Sequence, residues 1–158
     1  MQKTITSSVI ICTRNRPDDL RVCLDSIATQ TMMPWELIIV DSSDIPLSEQ
    51  RVFTEYFSSV YFPNITLIYI HTKPELTHQR NMGIMRSTGD VLYFFDDDVK
   101  LERNYLECMN SIFIQHSHYG GGMGSVINIF PRASYWQQIL RTIFLLQRDY
   151  SSGYFIWS

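Results

Sequence analysis

Val91-Leu92-Tyr93-Phe94-Phe95-Asp96-Asp97-Asp98 is the stretch that decides both the fold and the site. Its five apolar residues predict a buried strand that runs directly into three adjacent carboxylates. Side chains alternate along an extended chain, so Asp96 and Asp98 should point to one side and Asp97 to the other. Adjacent carboxylates repel one another unless a cation joins them, and a divalent metal ion is their natural partner. The pattern predicts a metal site at a strand end, with a solvated acidic turn as the alternative.

The rest of the chain alternates short apolar strands with amphipathic helices. Strands are predicted at residues 8–12, 36–40, 65–70, 91–95 and 125–130. Helices are predicted to begin at Pro17 after an Asn15 cap, at Pro46, at Thr77 and ahead of Leu106. Strands that alternate with helices imply right-handed crossovers and a mostly parallel sheet with helices on both faces. The predicted fold class is therefore α/β, of the Rossmann-like kind.

Composition and charge exclude several classes of function. The 158 residues, 45% of them hydrophobic, suffice for one ordinary domain with a real core. A net charge of -3 and a pI near 5.7 argue against nucleic-acid binding, which needs a clustered basic surface. The three cysteines lack zinc or redox spacing and are typical of buried thiols in a reducing compartment. Neither a signal sequence nor a membrane-spanning segment is recognisable, so we expect a cytoplasmic protein.

The carboxyl-terminal part departs from the strand-helix pattern. We predict a first domain over residues 1–130 and the incomplete start of a further, acceptor-side region over residues 131–158. Between Tyr135 and Leu146, apolar residues recur at helical spacing beside arginines, which would suit packing on protein or peripheral contact with a membrane. The aromatic stretch from Gly153 to Ser158 resembles the middle of an element, so we expect a truncated protein. The sequence leaves the oligomeric state open.

Polar residues follow three of the predicted strands, and a parallel sheet would bring them to one edge. They are Thr13 to Arg16, Asp41 to Asp44 and Asp96 to Asp98. Asp41 is placed to accept hydrogen bonds from ribose hydroxyls or a base imide, with a turn former as the simpler interpretation. The sequence contains no glycine-rich dinucleotide or P-loop motif, so a diphosphate would depend on a metal at Asp98 and on Arg80. Taken alone, Arg80 is also typical of a solvated surface.

Four motifs occur in a specific order along the chain. They run from Ser8 to Pro17, from Glu36 to Asp44, from Gln79 to Gly83, and from Gly89-Asp90 to Phe94-Phe95-Asp96-Asp97-Asp98. Any one of them is common, but four at suitable intervals are specific, and they cover the chain from Ser8 to about Phe130. Together they resemble the family 2 glycosyltransferases, which have the GT-A fold and a DXD-type acidic motif.

The resemblance implies a nucleotide-sugar-binding half in which Thr13 and Asp41 contact the base and Asp96 contacts the ribose. It also implies that Asp98, with Asp96, binds Mn²⁺ or Mg²⁺ bridging the diphosphate, close to Arg80. The complete set of nucleotide-binding candidates is Thr13, Arg14, Arg16, Asp41, Ser43, Arg80, Asp96 and Asp97. An aspartate accepts from uracil, guanine or thymine alike, so the base stays open, with a UDP-sugar as the first expectation.

Enzymes of this family transfer the sugar to an acceptor hydroxyl with inversion, using a metal as Lewis acid and a carboxylate as base. The base belongs to a downstream acidic motif that does not follow Phe130, so the catalytic residue is unknown and expected beyond Ser158. We therefore expect this chain to bind the donor but to transfer sugar weakly or not at all by itself. A glycan or lipid-linked acceptor and a role in polysaccharide biosynthesis are implied by the resemblance only.

Two other functions remain open at the level of sequence. The run Phe95-Asp96-Asp97-Asp98-Val99 also resembles the motif of haloacid-dehalogenase-type phosphatases, in which the first aspartate attacks phosphorus. That motif normally opens its domain, whereas three strand-helix units precede it here. The second alternative is a non-catalytic nucleotide-binding or partner-docking module.

Overall fold

A computed structural model of the chain describes residues 4–57, 61–124 and, for the backbone, 154–157. The chain divides into two compact units, Met1–Gln115 and His116–Ser158. In chain order the first unit contains β1 (Ser7–Thr13), α1 (Pro17–Ala28), β2 (Glu36–Asp41), a 3₁₀ turn (Leu47–Glu49), α2 (Arg51–Tyr56), β3 (Thr66–His71), α3 (Leu76–Arg86), β4 (Val91–Asp96) and α4 (Tyr105–Gln115). In the second unit, β5 (Gly121–Gly124) pairs antiparallel with β6 (Tyr154–Trp157).

The strands of the first unit form one parallel sheet in the order β3-β2-β1-β4. The register places Thr13 opposite Asp41 and Cys12 opposite Asp96. The chain winds outward from β1 through β2 to β3, and β4 then returns to the other side of β1. In open α/β sheets, ligands bind at the carboxyl end of such a switch in direction. The predicted α/β fold with a mostly parallel sheet is confirmed.

The two central strands are apolar between their polar ends because both faces of the sheet are covered. Ile10, Ile38 and Val40 form a core cluster on one face, where Met82 of α3 packs against them. A Cβ added at Gly83 would lie 2.5 Å from Ile10 Cγ2, so glycine is needed for α3 to approach this closely. The residues that alternate to the opposite face are equally buried: Val9, Ile11, Leu37 and Ile39.

The structure corrects one predicted helix cap and one predicted helix. The first helix begins at Pro17 as predicted, but the N-cap residue is Arg16, without a capping bond from its side chain, and not Asn15. Asn15 has a φ of 55°; its Nδ2 donates to the Asp44 carboxylate over 2.8 Å, and the Asp44 backbone N–H donates to Asn15 Oδ1 over 2.9 Å. These bonds tie the loop after β1 to the loop after β2. After Pro46 the chain forms the 3₁₀ turn and then α2, in place of one continuous helix.

Three predictions concern residues outside the described part of the chain. They are the strand at residues 125–130, the amphipathic segment at residues 135–146, and the domain boundary after residue 130. They stay predictions. In the part that the structure describes, no helix has the length and apolar character needed to span a membrane.

Candidate functional site

A cavity of about 360 Å³ lies at the carboxyl ends of β1 and β2, beside the switch in winding direction. Its volume is within the range of small-molecule sites. The lining residues are Cys12, Thr13, Arg14, Arg16, Ser42, Pro74, Glu75, Leu76, Gln79 and Asp97. Four of the predicted site residues, namely Thr13, Arg14, Arg16 and Asp97, are therefore brought together around one cavity.

Asp97 is the buried member of the acidic triplet. Its side chain is 8% exposed, and its Oδ2 accepts a 2.8 Å hydrogen bond from the Thr13 hydroxyl. Its Oδ1 lies 3.3 Å from Arg16 Nη1, which also lies 3.4 Å from Asp98 Oδ2. Asp97 first, and Asp98 after it, raise the pKa of the Arg16 guanidinium. Asp97 therefore joins the turn after β4 to the end of β1 and holds the Arg16 guanidinium at the cavity.

Asp96 and Asp98 are the exposed members of the triplet, with side chains that are 70% and 58% accessible. Arg80 Nη2 of α3 lies 3.4 Å from Asp96 Oδ1. Each carboxylate of the triplet thus has a guanidinium within ion-pair distance. The sequence predicts that Asp97 points to the opposite side from Asp96 and Asp98, and the burial of Asp97 between two exposed neighbours agrees with this. The cations that relieve the repulsion in this structure are arginines.

Asp41 and Ser43 lie behind the cavity wall. Asp41 has no exposed surface, and its carboxylate accepts 2.8 Å hydrogen bonds from the backbone N–H groups of Ser43 and Leu47 and from the Tyr69 hydroxyl. The Ser43 hydroxyl accepts from the backbone N–H of Asn15 over 2.8 Å. These bonds order the loop after β2, a usual role for such residues in turns. Neither side chain is among those that line the cavity, and the nucleotide contacts of Asp41 and Ser43 stay predictions.

Gln79 is a cavity residue that the sequence analysis did not assign to the site. It lies in the first turn of α3, is 5% exposed, and donates from Nε2 to the carbonyl oxygens of Thr13 (3.2 Å) and Val40 (2.8 Å). It therefore bridges β1 and β2 at their carboxyl ends. Its position in the motif from residue 79 to residue 83 was the available signal. The other lining residues without a predicted role are Cys12, Ser42, Pro74, Glu75 and Leu76.

Cys12 lines the cavity but is not activated as a nucleophile. Burial raises the pKa of its thiol to about 11, and the Asp96 and Asp97 carboxylates add to the effect of burial while Arg80 opposes it. The thiolate is the reactive form of cysteine. The thiol therefore stays protonated at neutral pH, and nucleophilic chemistry through Cys12 is disfavoured.

The acidic triplet fits a divalent cation that completes its coordination with phosphate oxygens. Within the described residues, no three His, Cys, Asp or Glu side chains converge as a metal site. Mg²⁺ is commonly bound through one or two carboxylates together with substrate phosphates and water, so a full set of protein ligands is not required. The exposed carboxylates of Asp98 and Asp96 are hard oxygen donors of this type. Asp97 is already engaged by Thr13 and Arg16.

Comparison with known protein families and sequences gives a consistent result. The profile of glycosyl transferase family 2 matches residues 8–154. An uncharacterized glycosyltransferase of Haemophilus influenzae is 37% identical over 91 residues, which are 58% of this chain and 29% of that protein. The amylovoran biosynthesis glycosyltransferase AmsB of Erwinia amylovora is 31% identical over 107 residues, which are 66% of this chain and 35% of that protein. The chain spans about a third of the length of the curated relatives it matches.

Solved structures share the fold. The mannosyltransferase PcManGT of Pyrobaculum calidifontis, in complex with GDP-Man and Mn²⁺, superposes with a TM-score of 0.63 at 20% identity, over 88% of this chain and 39% of that chain. S. aureus TarS 1-349, in complex with UDP-GlcNAc, superposes with a TM-score of 0.61 at 21% identity, over 82% of this chain and 38% of that chain. At these identities the likeness establishes the fold, and the predicted GT-A architecture is confirmed.

Proposed function

The chain belongs to glycosyl transferase family 2, and we propose that it binds a nucleoside-diphosphate sugar at the carboxyl edge of its parallel sheet. In this proposal the chain is the donor-binding part of an inverting, metal-dependent glycosyltransferase. One observation carries it: a cavity at the switch point lies beside three carboxylates and two arginines, the charges that a metal and a diphosphate need. Two of the compared proteins were solved with UDP-GlcNAc and with GDP-Man and Mn²⁺, which supports this ligand class. The comparisons favour neither the phosphatase nor the docking-module alternative.

The neutral wall of the cavity is assigned to the nucleoside. Thr13, Ser42 and Gln79 present hydroxyl and amide groups there, and such groups bind the donors and acceptors of a ribose or a base. All three residues are buried. Ser42 and Gln79 donate to the Thr13 carbonyl oxygen at the end of β1, and the Thr13 hydroxyl donates to Asp97 in the turn after β4. The wall is therefore formed before the ligand arrives, which lowers the entropic cost of binding.

The charged groups at and beside the cavity are assigned to the diphosphate and its metal ion. Arg16 and Arg80 carry the positive charge that a guanidinium offers to phosphate oxygens. Asp98 and Asp96 would hold Mn²⁺ or Mg²⁺ through their exposed carboxylates. When bound, the ion supplies Lewis-acid stabilisation of the departing nucleoside diphosphate.

Transfer also requires a base that removes the proton of the acceptor hydroxyl. The acidic triplet does not provide it, because Asp97 accepts bonds from Thr13 and Arg16 while Asp96 and Asp98 are assigned to the metal. The base stays unassigned. We propose that this chain binds the donor but transfers sugar weakly or not at all without further protein.

Isothermal titration calorimetry tests the donor site. We expect UDP or GDP to bind in the presence of Mn²⁺ and to lose roughly tenfold or more in affinity when EDTA removes the ion. Asp98→Asn should reproduce the loss with Mn²⁺ present, because one metal ligand is gone. Asp18→Asn, an exposed carboxylate at the start of α1, is the matched control and should bind like the wild type. If neither UDP nor GDP gives a heat of binding when Mn²⁺ is present, the proposed function is refuted.

A sugar-transfer assay tests the second part of the proposal. The chain is incubated with radiolabelled UDP- or GDP-sugars and with glycan or lipid-linked acceptors, and transfer to the acceptor is measured. We expect little or no acceptor labelling at nucleotide concentrations that saturate the site. Robust turnover by these residues alone would show that the base lies within them.

A further inference from the structure

Arg16 lies between the buried and the exposed carboxylates of the acidic triplet. Its Nη1 atom lies 3.3 Å from the buried carboxylate of Asp97 and 3.4 Å from the exposed carboxylate of Asp98. The first contact is to a group that Thr13 already fixes with a 2.8 Å bond. The second contact is to the group assigned to the metal ion. The Arg16 guanidinium therefore contacts one carboxylate that is held in place, Asp97, and one that is exposed, Asp98.

We propose that Arg16 couples metal binding to nucleotide binding by exchanging partners. In the ligand-free site its guanidinium neutralises Asp98, and it turns to the diphosphate when a divalent cation takes its place on that carboxylate. The inference rests on the proposed function and adds to it a reason why the two ligands bind together.

Electrostatics favours the exchange. A divalent cation binds carboxylate oxygen at about 2.1 Å, so it would face the guanidinium now 3.4 Å from the same Asp98 oxygen. Two cations that close repel one another, which favours departure of the one that is held less firmly. Arg16 is the one that moves easily, because its side chain is 55% exposed and both contacts are long for charge-assisted bonds.

Asp97 keeps the displaced arginine within reach. Its carboxylate is 8% exposed and is held by the Thr13 hydroxyl, so it does not follow the guanidinium away from the cavity. Arg16 also lines the cavity, where a diphosphate would lie. Asp97 is thus a positioning residue that acts through Arg16. Its own contact with Arg16 is kept, whereas the contact of Arg16 with Asp98 is the one that is exchanged.

The exchange makes the two ligands cooperative. A metal ion alone must displace Arg16 without offering it a new partner, so it binds weakly. A diphosphate attracts Arg16 and exposes Asp98, so it strengthens metal binding, and by linkage the metal strengthens nucleotide binding by the same factor. Removal of the Arg16 charge should abolish much of this coupling while improving the affinity for the metal alone.

The test is a titration with Mn²⁺ followed by electron paramagnetic resonance, first without nucleotide and then with UDP or GDP. In the wild type we expect the nucleotide to tighten Mn²⁺ binding by about tenfold or more, within the usual range of such couplings. In Arg16→Gln we expect Mn²⁺ alone to bind several-fold tighter than to the wild type, and the tightening by nucleotide to fall by about the same factor, because the contact of the ion with phosphate oxygens remains. Arg16→Lys, which retains the charge, should keep Mn²⁺ alone as weak as in the wild type.

Arg21→Gln is the matched control. Arg21 lies on α1, is 54% exposed, and pairs with Glu55 over 3.2 Å, so the substitution removes the same charge from a comparable ion pair away from the triplet. We expect its Mn²⁺ affinities, with and without nucleotide, to match the wild type. Thermal unfolding of each variant shows whether the chain is folded.

Two results would overturn the exchange. The first is an Arg16→Gln protein that binds Mn²⁺ alone no more tightly than the wild type or keeps the full effect of the nucleotide. The second is an equal change in Arg21→Gln, which would reduce the effect to net charge. A wild-type protein that binds no nucleotide with Mn²⁺ present would instead defeat the proposed function, and the exchange with it.

Discussion

Glu36 is a buried carboxylate at the amino edge of the sheet, and its replacement by glutamine tests how that edge is held. The residue is 1% exposed. Its Oε1 accepts 2.5 Å hydrogen bonds from the Ser8 hydroxyl and the Thr88 backbone N–H, and its Oε2 accepts from the Thr88 hydroxyl over 3.1 Å. The Gly89 backbone N–H donates in turn to Ser8 Oγ over 2.9 Å. One carboxylate therefore joins β1, β2 and the turn that enters β4.

The magnitude follows from these bonds. Glu36→Gln keeps the shape of the side chain and an acceptor for Ser8, but three charge-assisted bonds become neutral ones or are lost. A hydrogen bond to a charged group contributes about 1.5–3 kcal/mol and a neutral one about 0.5–1.5 kcal/mol. At roughly 1 kcal/mol per bond, the free energy of unfolding at pH 7 should fall by about 2–3 kcal/mol.

The pH dependence has a definite sign. Burial acts to raise the pKa of Glu36, but the hydrogen bonds from Ser8, Thr88 and Gly89 outweigh it and lower the pKa below its ordinary value. The stability that the ionised carboxylate contributes is then present above the unfolded pKa, about 4.3, and is lost as the pH falls through the folded value. The free energies of unfolding of the wild type and Glu36→Gln should therefore converge in acid.

Urea unfolding followed by circular dichroism, at pH 7 and again near pH 3, measures both effects. Glu49→Gln is the control, since Glu49 is an exposed carboxylate of the 3₁₀ turn and its replacement should leave the urea midpoint unchanged. A Glu36→Gln protein within about 0.5 kcal/mol of the wild type at pH 7 would refute the reasoning. So would a difference of the same size at both pH values.

Three further predictions concern close packing and the site. Gly83→Ala places a Cβ 2.5 Å from Ile10 Cγ2, and such overpacking should lower the free energy of unfolding by about 1–3 kcal/mol, measured by urea denaturation. Gly89→Ala should lower the thermal midpoint further, because its Cβ would lie 2.6 Å from Ser8 Oγ and also 2.7 Å from the Ser8 backbone nitrogen, and the backbone of β1 cannot move aside. Thr13→Val removes the 2.8 Å bond to Asp97 and should weaken Mn²⁺-dependent UDP or GDP binding by roughly tenfold in calorimetry, and unchanged affinity would contradict this role.

The sheet could be predicted from sequence because its two central strands are covered on both faces and therefore read as unbroken apolar runs. The predicted strands end too early, in each case just before a polar residue. Thr13, Asp41, His71 and Asp96 belong to their strands in the structure, because backbone pairing continues past the last apolar side chain. Main-chain hydrogen bonds do not depend on side-chain polarity, so a hydropathy pattern underestimates such ends.

The site could be predicted only to the level of which strand ends meet. A parallel topology brings the residues after β1 and β4 together, and the structure pairs Thr13 with Asp97 as that reasoning requires. The topology does not say what each side chain contacts. The position of Asp41 predicts that it accepts hydrogen bonds from ribose hydroxyls or a base imide, but it does not predict the two backbone N–H groups and the Tyr69 hydroxyl that donate to its carboxylate. Gln79 reaches the cavity from a helix that follows a different strand, a contact that depends on tertiary packing.

The acidic triplet shows why identical neighbouring residues need different experiments. Asp97 is 8% exposed and binds Thr13 and Arg16, so its replacement would disturb the joint between β1 and β4. Asp98 is 58% exposed and its replacement would remove a metal ligand while leaving that joint in place. Both variants would lose nucleotide affinity, and equal losses would not mean equal roles. Mn²⁺ titration without nucleotide separates the two roles. Loss of Asp98 weakens Mn²⁺ binding directly, because a metal ligand is gone. Loss of the Asp97 charge changes Mn²⁺ binding only through the position of Arg16.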